Sequence, residues 1–244
     1  MNSQSLTIDN QPVPFQEGQT IIQAALAAGI FIPHLCYHPE FKPHGSCRLC
    51  TVEVNGRKMS ACTTPAATGQ QVLNQTAELN EMRRTLVQLL FVEGNHFCPS
   101  CEKSGNCRLQ ATGYWLEMLD APFPQFFPRR DLDASHPDVL LDRDRCIFCE
   151  LCVRASRDVD HKNIFALGGR GIQTRLIINS PSGKLGDTNL SKTDKAAQVC
   201  PTGALLIRGE AFHTPIGERL YDRQSIAESS LKGAAKTFEE QADE

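Results

Sequence analysis

Cys146-Ile147-Phe148-Cys149-Glu150-Leu151-Cys152 sets three thiols three residues apart, and Cys200-Pro201 lies far downstream. Ligands at i, i+3 and i+6 wrap three corners of an iron–sulfur cubane, and a Cys-Pro arriving from elsewhere in the chain closes the fourth. In runs that serve two clusters, a further cysteine follows the third after three intervening residues. Here that position is Ser156. The run therefore predicts one 4Fe–4S centre on Cys146, Cys149, Cys152 and Cys200. Around it, Ile164–Leu167, Thr174–Asn179 and Ala204–Arg208 read as strands, and a short helix from about Ser191 to Gln198 leads into Cys200. Residues 139–209 are expected to form a ferredoxin-like domain.

The remaining cysteines fall into two more groups. Cys98, Cys101 and Cys107 follow His96, and Cys36, Cys47, Cys50 and Cys62 lie nearer the N-terminus. Eleven cysteines and one histidine thus make three sets of four ligands, the number that three clusters need. The first set has two close ligands and two distant ones, which suits a 2Fe–2S rhomb with two thiolates per iron. Its ten-residue first gap is longer than the plant-type C-x4-C-x2-C spacing. Gly45 and Ser46 suit a tight loop whose N–H groups point at sulfur. Four cysteines also suit a zinc knuckle, and three thiolates with an imidazole equally make a structural zinc site. His34, His38 and His44 lie beside the first set and are expected in loop or supporting roles.

The text before and between these groups predicts the rest. Ser5–Asp9 and Val13–Phe15 read as short strands around a turn at Asn10–Gln11. Ile21, Ile22, Ala25 and Leu26 have helical spacing, and Gly29 suits the left-handed position after a helix. Asn55–Gly56 between Thr51–Val54 and Arg57–Ala61 is a two-residue hairpin signal. Strand, strand, helix, loop and hairpin give a β-grasp domain over residues 1–75. Thr76 is an N-cap, Glu78 and Glu81 suit the positive end, and Leu79, Met82, Leu86 and Leu89 repeat helically up to Gly94. With a second helix from Cys107 through Met118, residues 76–120 form a helical 4Fe–4S segment. Residues 121–138, rich in proline and phenylalanine, read as an extended linker, either laid over a surface by its aromatics or, at Ala121–Pro128 with Phe126 and Phe127, in contact with another subunit, and with Arg129 and Arg130 solvated or ion-paired. Residues 210–244 read as a polar, charged tail that docks on another subunit, with Ser225–Glu244 helical or partly disordered. The fold class is α+β.

Composition narrows the functions. A charged fraction of 22% and a net charge of −3 give no footprint for nucleic acid. No stretch has the roughly 18–20 apolar residues of a membrane span, and Met1–Asn10 lacks the features of a signal peptide. A cytoplasmic protein is expected. Its cysteines then serve metal rather than disulfides, because cytosolic thiols stay reduced. No G-x-G-x-x-G, Walker-A, H-E-x-x-H or G-x-S-x-G motif is present; Gly168-Gly169-Arg170-Gly171 does not fit the first and reads as a loop. The chain reads as an electron relay with no catalytic residue of its own.

Pro33-His34-Leu35-Cys36-Tyr37, Gly45-Ser46-Cys47-Arg48-Leu49-Cys50, Cys98-Pro99-Ser100-Cys101-Glu102-Lys103-Ser104-Gly105-Asn106-Cys107 and Cys146-Ile147-Phe148-Cys149-Glu150-Leu151-Cys152-Val153-Arg154 resemble a known module over roughly residues 1–210. It is the N-terminal iron–sulfur region of the large iron–sulfur subunit of respiratory complex I, of some iron-only hydrogenases and of NAD-linked formate dehydrogenases. A free-standing chain of this size is similar to the small diaphorase subunit of soluble NAD-reducing nickel–iron hydrogenases. That resemblance implies one 2Fe–2S and two 4Fe–4S clusters here, with FMN, NAD and the nickel–iron site on partner subunits. It implies two partners, a flavin- and NAD-binding diaphorase subunit and a hydrogenase small subunit. The same relay in a formate dehydrogenase or a complex I-like enzyme is the alternative, and a zinc-binding interaction protein the remote one. One departure stands out. The relatives usually carry the histidine four residues before the first cysteine of the middle set, where this chain has Gly94, and here it is His96.

Overall fold

The computed structural model describes residues 4–242. The chain up to Leu86, with Trp115–Glu117 and the segment from Gln224 onward, forms one compact unit. Val87–Tyr114 and Met118–Arg223 form a second.

The first unit is a mixed sheet of five short strands, β1 (Ser5–Ile8), β2 (Gln11–Pro14), β3 (Thr51–Val54), β4 (Arg57–Ser60) and β5 (Gln71–Leu73), in the order β2-β1-β5-β3-β4. The central β1 and β5 run parallel, and the other pairs are antiparallel. This is the β-grasp order. Helix α1 (Ile21–Ala27) starts at Thr20, whose backbone N–H is capped by the Gln23 side chain at 2.8 Å. Gly29 follows in the left-handed conformation, with φ +75°. Leu6, Ile8, Val13, Ile21, Ile22, Leu26, Val52 and Val72 close one core. The first turn lies at Asp9–Asn10, one residue earlier than expected, with both φ values positive. Asp9 takes the strained position because its Oδ1 accepts the N–H groups of Asn74 and Gln75. Strand β5 was not foreseen from the sequence.

Helix α2 (Ala77–Glu93) begins where expected, with the Thr76 hydroxyl accepting the Leu79 N–H at 3.2 Å. Its first half belongs to the first unit and its second half to the second. Helix α3 (Arg108–Trp115) stops three residues short of the expected end.

In the second unit β6 (Leu132–Asp133), β7 (Val139–Asp142) and β10 (Leu205–Ile207) form one antiparallel sheet, and β8 (Phe165–Gly168) and β9 (Arg175–Ile178) a hairpin. Short helices α4 (Leu151–Arg154) and α5 (Lys195–Gln198) lie just after Cys149 and just before Cys200. The proline-rich linker differs from expectation in one way. Its end is built into the sheet as β6, with Asp133 accepting bonds from Ser135 and from the Leu185 N–H. Its aromatics do not pack down: Phe126 is 57% and Phe127 72% exposed. Further on come α6 (Leu220–Arg223) and α7 (Ile226–Ala242). The latter is no free tail, because Ile226 and Ala234 are buried and Ala234 joins the first unit's core with α1. No helix among the described residues is long and apolar enough to cross a membrane.

Candidate metal centres

Cys36, Cys47, Cys50 and Cys62 all lie in the first unit, where Cys50 and Cys62 join its core. Cys50 sits just before β3, and Cys62 two residues after β4. The hairpin register, Thr51 opposite Ser60, brings these two thiols together. Cys36 and Cys47 arrive on the long loop between α1 and β3. The thiols interact as two pairs, Cys36 with Cys47 and Cys50 with Cys62. The Cys47 thiol and the N–H groups of Cys47 and Ser46 favour a thiolate at Cys36 and hold its pKa down, the Cys47 N–H lying 3.4 Å from its Sγ. The same pairing, reinforced by burial, pushes Cys47 up. Gly45, at φ +74°, turns this loop. Two thiol pairs match two irons with two thiolates each.

Cys98, Cys101, Cys107 and His96 line one small cavity with Phe91, Ser104, Leu109, Gln110 and Gly203. Cys107 precedes α3, and the Leu109 and Gln110 N–H groups at that helix start aim at its sulfur. Burial nevertheless pushes the Cys107 thiol up to about 12. Metal binding has to displace that proton. His96 Nε2 is buried and has no hydrogen-bond partner in the structure. Buried polar atoms are rarely left so. Burial, with Arg145 and Arg130 adding to it, holds the imidazole pKa at about 4, so the ring is neutral, the form that binds metal. Gly94 explains the shifted histidine. A Cβ there would strike His96 Nε2 and Cδ2, the latter at 2.6 Å. The ring can enter the cavity from position 96 only while position 94 has no side chain.

Cys146, Cys149, Cys152 and Cys200 line a second cavity, closed by Leu167, Leu176, Pro201 and Ala204. Phe148 and Glu150 take left-handed conformations, φ +52° and +58°, winding the chain tightly between the cysteines. This turns the Phe148 N–H to the Cys146 sulfur, although burial still pushes Cys146 up to about 12. The Arg130 guanidinium lies 5.0 Å from the Phe148 ring centre.

Arg145, which no motif singles out, reaches both sites of the second unit. Arg145 precedes Cys146, and its Nη1 lies 3.6 Å from Cys101 Sγ. Its guanidinium also pairs with Glu102 and with Asp142, the latter at 2.8 Å. Its carbonyl accepts the Thr202 hydroxyl at 2.9 Å, and that oxygen is 3.7 Å from Cys200 Sγ. Gly203 leaves room for it, since a Cβ there would lie 3.3 Å from both Arg145 and Cys101 Sγ.

All twelve expected ligands are therefore in three closed groups, and the donor sets suit iron–sulfur clusters. Among the described residues, no three His, Cys, Asp or Glu side chains are close enough to hold a single metal ion. His38 stacks on Phe41 and His34 bonds the Ile32 carbonyl, so these histidines serve the loop around Cys36.

Known proteins share iron–sulfur domains with this chain. Residues 3–77 match the 2Fe-2S iron-sulfur cluster binding domain, 83–121 the NADH-ubiquinone oxidoreductase-G iron-sulfur binding region, and 139–207 the 4Fe-4S single cluster domain. The NAD-reducing hydrogenase HoxS subunit gamma of Cupriavidus necator is 40% identical over 232 residues, covering 95% of this chain and 98% of that protein. The chain belongs to that gamma-subunit family. A chain in the crystal structure of NAD+-reducing [NiFe]-hydrogenase in the H2-reduced state is 52% identical, with a TM-score of 0.92 over 95% of this chain and 99% of that one. Longer relatives contain the module as a part. The NADPH-Fe(3+) oxidoreductase subunit alpha of Geobacter sulfurreducens is 34% identical over 210 residues, which span 24% of its length.

Proposed function

We propose that this chain is the iron–sulfur electron-relay subunit of a cytoplasmic NAD-reducing nickel–iron hydrogenase. It passes electrons between a flavin- and NAD-binding subunit and the hydrogenase small subunit. Cys36, Cys47, Cys50 and Cys62 hold a 2Fe–2S cluster, with Cys36 and Cys47 on one iron and Cys50 and Cys62 on the other. His96, Cys98, Cys101 and Cys107 hold one 4Fe–4S cluster, and Cys146, Cys149, Cys152 and Cys200 the other. Bound clusters supply one-electron carriers between a two-electron flavin and a distant hydrogen-activating site.

The observation that carries the reading is that every cysteine belongs to one of the three groups, with the orphaned His96 Nε2 completing the middle one. The chain's own residues do the rest. Burial shields Cys36, Cys50, Cys62, Cys107, Cys149 and Cys152 from water, N–H groups at Cys36, Cys107 and Cys146 stabilise thiolate charge, and Arg145 places a cation on Cys101. An imidazole at one corner leaves its cluster less negative than four thiolates would, which shifts its potential. Docking falls to the exposed apolar residues of segments with little core of their own. These are Phe126 and Phe127 in the linker, and Phe212 and Ile216, 70% and 86% exposed, after Gly209.

Freeze-quench EPR of the purified complex tests the relay. Hydrogen or NADH is expected to bring up the signals of all three centres in the complex, whereas the isolated chain answers only to a chemical reductant such as dithionite. Hydrogen-driven NAD reduction by the isolated chain would overturn the reading. Nickel in the complex, rather than molybdenum, separates the hydrogenase from a formate dehydrogenase.

A further inference from the structure

Arg83, on the first half of α2, is the largest fully buried side chain among the described residues, at 0% exposure. Its guanidinium makes five hydrogen bonds. Nε donates to the Leu49 carbonyl at 3.2 Å, Nη1 to the Asn74 carbonyl at 2.8 Å and to Asn80 Oδ1 at 3.0 Å. Nη2 donates to the Thr51 carbonyl at 2.9 Å and to Asn74 Oδ1 at 2.7 Å. These use all the donors a guanidinium has. Leu49 and Thr51 are the residues on either side of Cys50. Arg83 thus pins the backbone on both sides of one cysteine of the first centre.

Every one of those acceptors is neutral. Among the described residues no carboxylate forms an ion pair with Arg83. Asp9, the acid whose field it feels, has its Oδ1 turned to the Asn74 and Gln75 N–H groups. A buried charge is ordinarily paired, because neutral acceptors do not recover the whole cost of leaving water. Burial pulls the guanidinium pKa down to about 10, with Cys50 and then Asp9 acting against it, so the group is charged at neutral pH.

We infer that Arg83 is a positioning residue of the first centre and that the anionic cluster on Cys36, Cys47, Cys50 and Cys62 is its counter-ion. The inference rests on the reading of that site as 2Fe–2S. Four thiolates and two sulfides make the oxidised centre a dianion. One-electron reduction adds one negative charge and moves no proton. A fixed cation beside Cys50 favours the more negative state, and little solvent intervenes to screen it. Arg83 therefore raises the reduction potential of this centre above what its four thiolates and burial alone would set, and leaves the two centres of the second unit unchanged.

The test is an anaerobic dithionite titration followed by EPR on the whole chain, with wild type beside Arg83→Met, Arg83→Gln and Arg83→Lys. Absence of a 2Fe–2S signal in wild type would remove the cluster reading itself, which separates that failure from failure of the inference. With the signal present, Met and Gln are expected to lower its reduction equilibrium constant about tenfold or more, 59 mV for one electron. Lys, which keeps the charge, is expected to stay within about threefold of wild type. The 4Fe–4S signals are expected not to move. A shift below about twofold in Met and Gln, or an equal shift in all three centres, overturns the inference. If neither neutral variant assembles the first cluster, Lys decides: a cluster near wild-type potential supports the counter-charge, and no cluster reduces Arg83 to a hydrogen-bonding clamp.

Discussion

Gly94→Ala is the smallest change that ought to cost a whole cluster. The position is buried, and the added methyl would meet His96 Nε2 and Cδ2 on one side and the Asp144 carbonyl, 2.9 Å away, on the other. That carbonyl already accepts the Asn95 N–H at 2.8 Å, so the backbone cannot retreat without breaking a bond. The imidazole has to give way instead. A metal–nitrogen bond tolerates only about 0.2 Å, and relieving the clash moves the ring further than that. Overpacking of this kind costs about 1–3 kcal/mol, or roughly one to two powers of ten in affinity for the middle cluster. The assay is iron content with EPR on anaerobically purified protein, beside His96→Ala and the control Gly233→Ala, where no atom lies within 4 Å of the new Cβ. Gly94→Ala and His96→Ala are expected to lose up to about four irons per chain and the same EPR signal, and Gly233→Ala none. Full iron and an unchanged spectrum in Gly94→Ala would refute the argument that His96 enters the site through the space glycine leaves.

Three further outcomes are expected. Arg145→Gln removes the cation 3.6 Å from Cys101 Sγ and should lower the reduction equilibrium constant of the middle centre by about tenfold, read by EPR titration, with the 2Fe–2S signal unmoved. Burial works against the Asp133 carboxylate, but bonds from Ser135 and the Leu185 N–H, with the Arg143 charge, outweigh it and hold its pKa below the usual value of 3.8. Its contribution to stability is therefore full above that value and lost as pH falls toward the lower folded value, so wild type should lose its thermal-stability advantage over Asp133→Asn below about pH 4. Ile226→Ala in α7 removes a side chain that is 1% exposed and should cost about 2–5 kcal/mol by chemical denaturation.

The grouping of the cysteines was legible in the sequence because their spacing is local: the i, i+3, i+6 run and the two looser sets can be sorted without knowing the fold, and the cavities of the second unit gather the same residues. The hairpin at Asn55–Gly56 and the capped start of α2 were legible for the same reason, each resting on residues within one turn. Strand β5 was not, since it has three residues, buries only Val72 and exists through its partners β1 and β3. The linker left two readings open, since phenylalanines between prolines can pack on their own chain or face outward, and Phe126 and Phe127 are exposed. In the tail the helix was legible and its packing was not, because the charged composition hides the buried Ile226 and Ala234. Arg83 and Arg145 carried no local signal. Each matters through acceptors that are distant in sequence, Leu49 and Thr51 for one and Cys101 for the other.

The count of metal on the chain tests the central claim most directly. Iron, acid-labile sulfide and zinc are measured per chain in protein purified without oxygen. One 2Fe–2S and two 4Fe–4S clusters predict about ten irons and about ten sulfides, with no stoichiometric zinc. One zinc per chain with fewer than about eight irons would contradict the account, because a four-ligand group would then hold a single structural ion and the relay would be broken at that site.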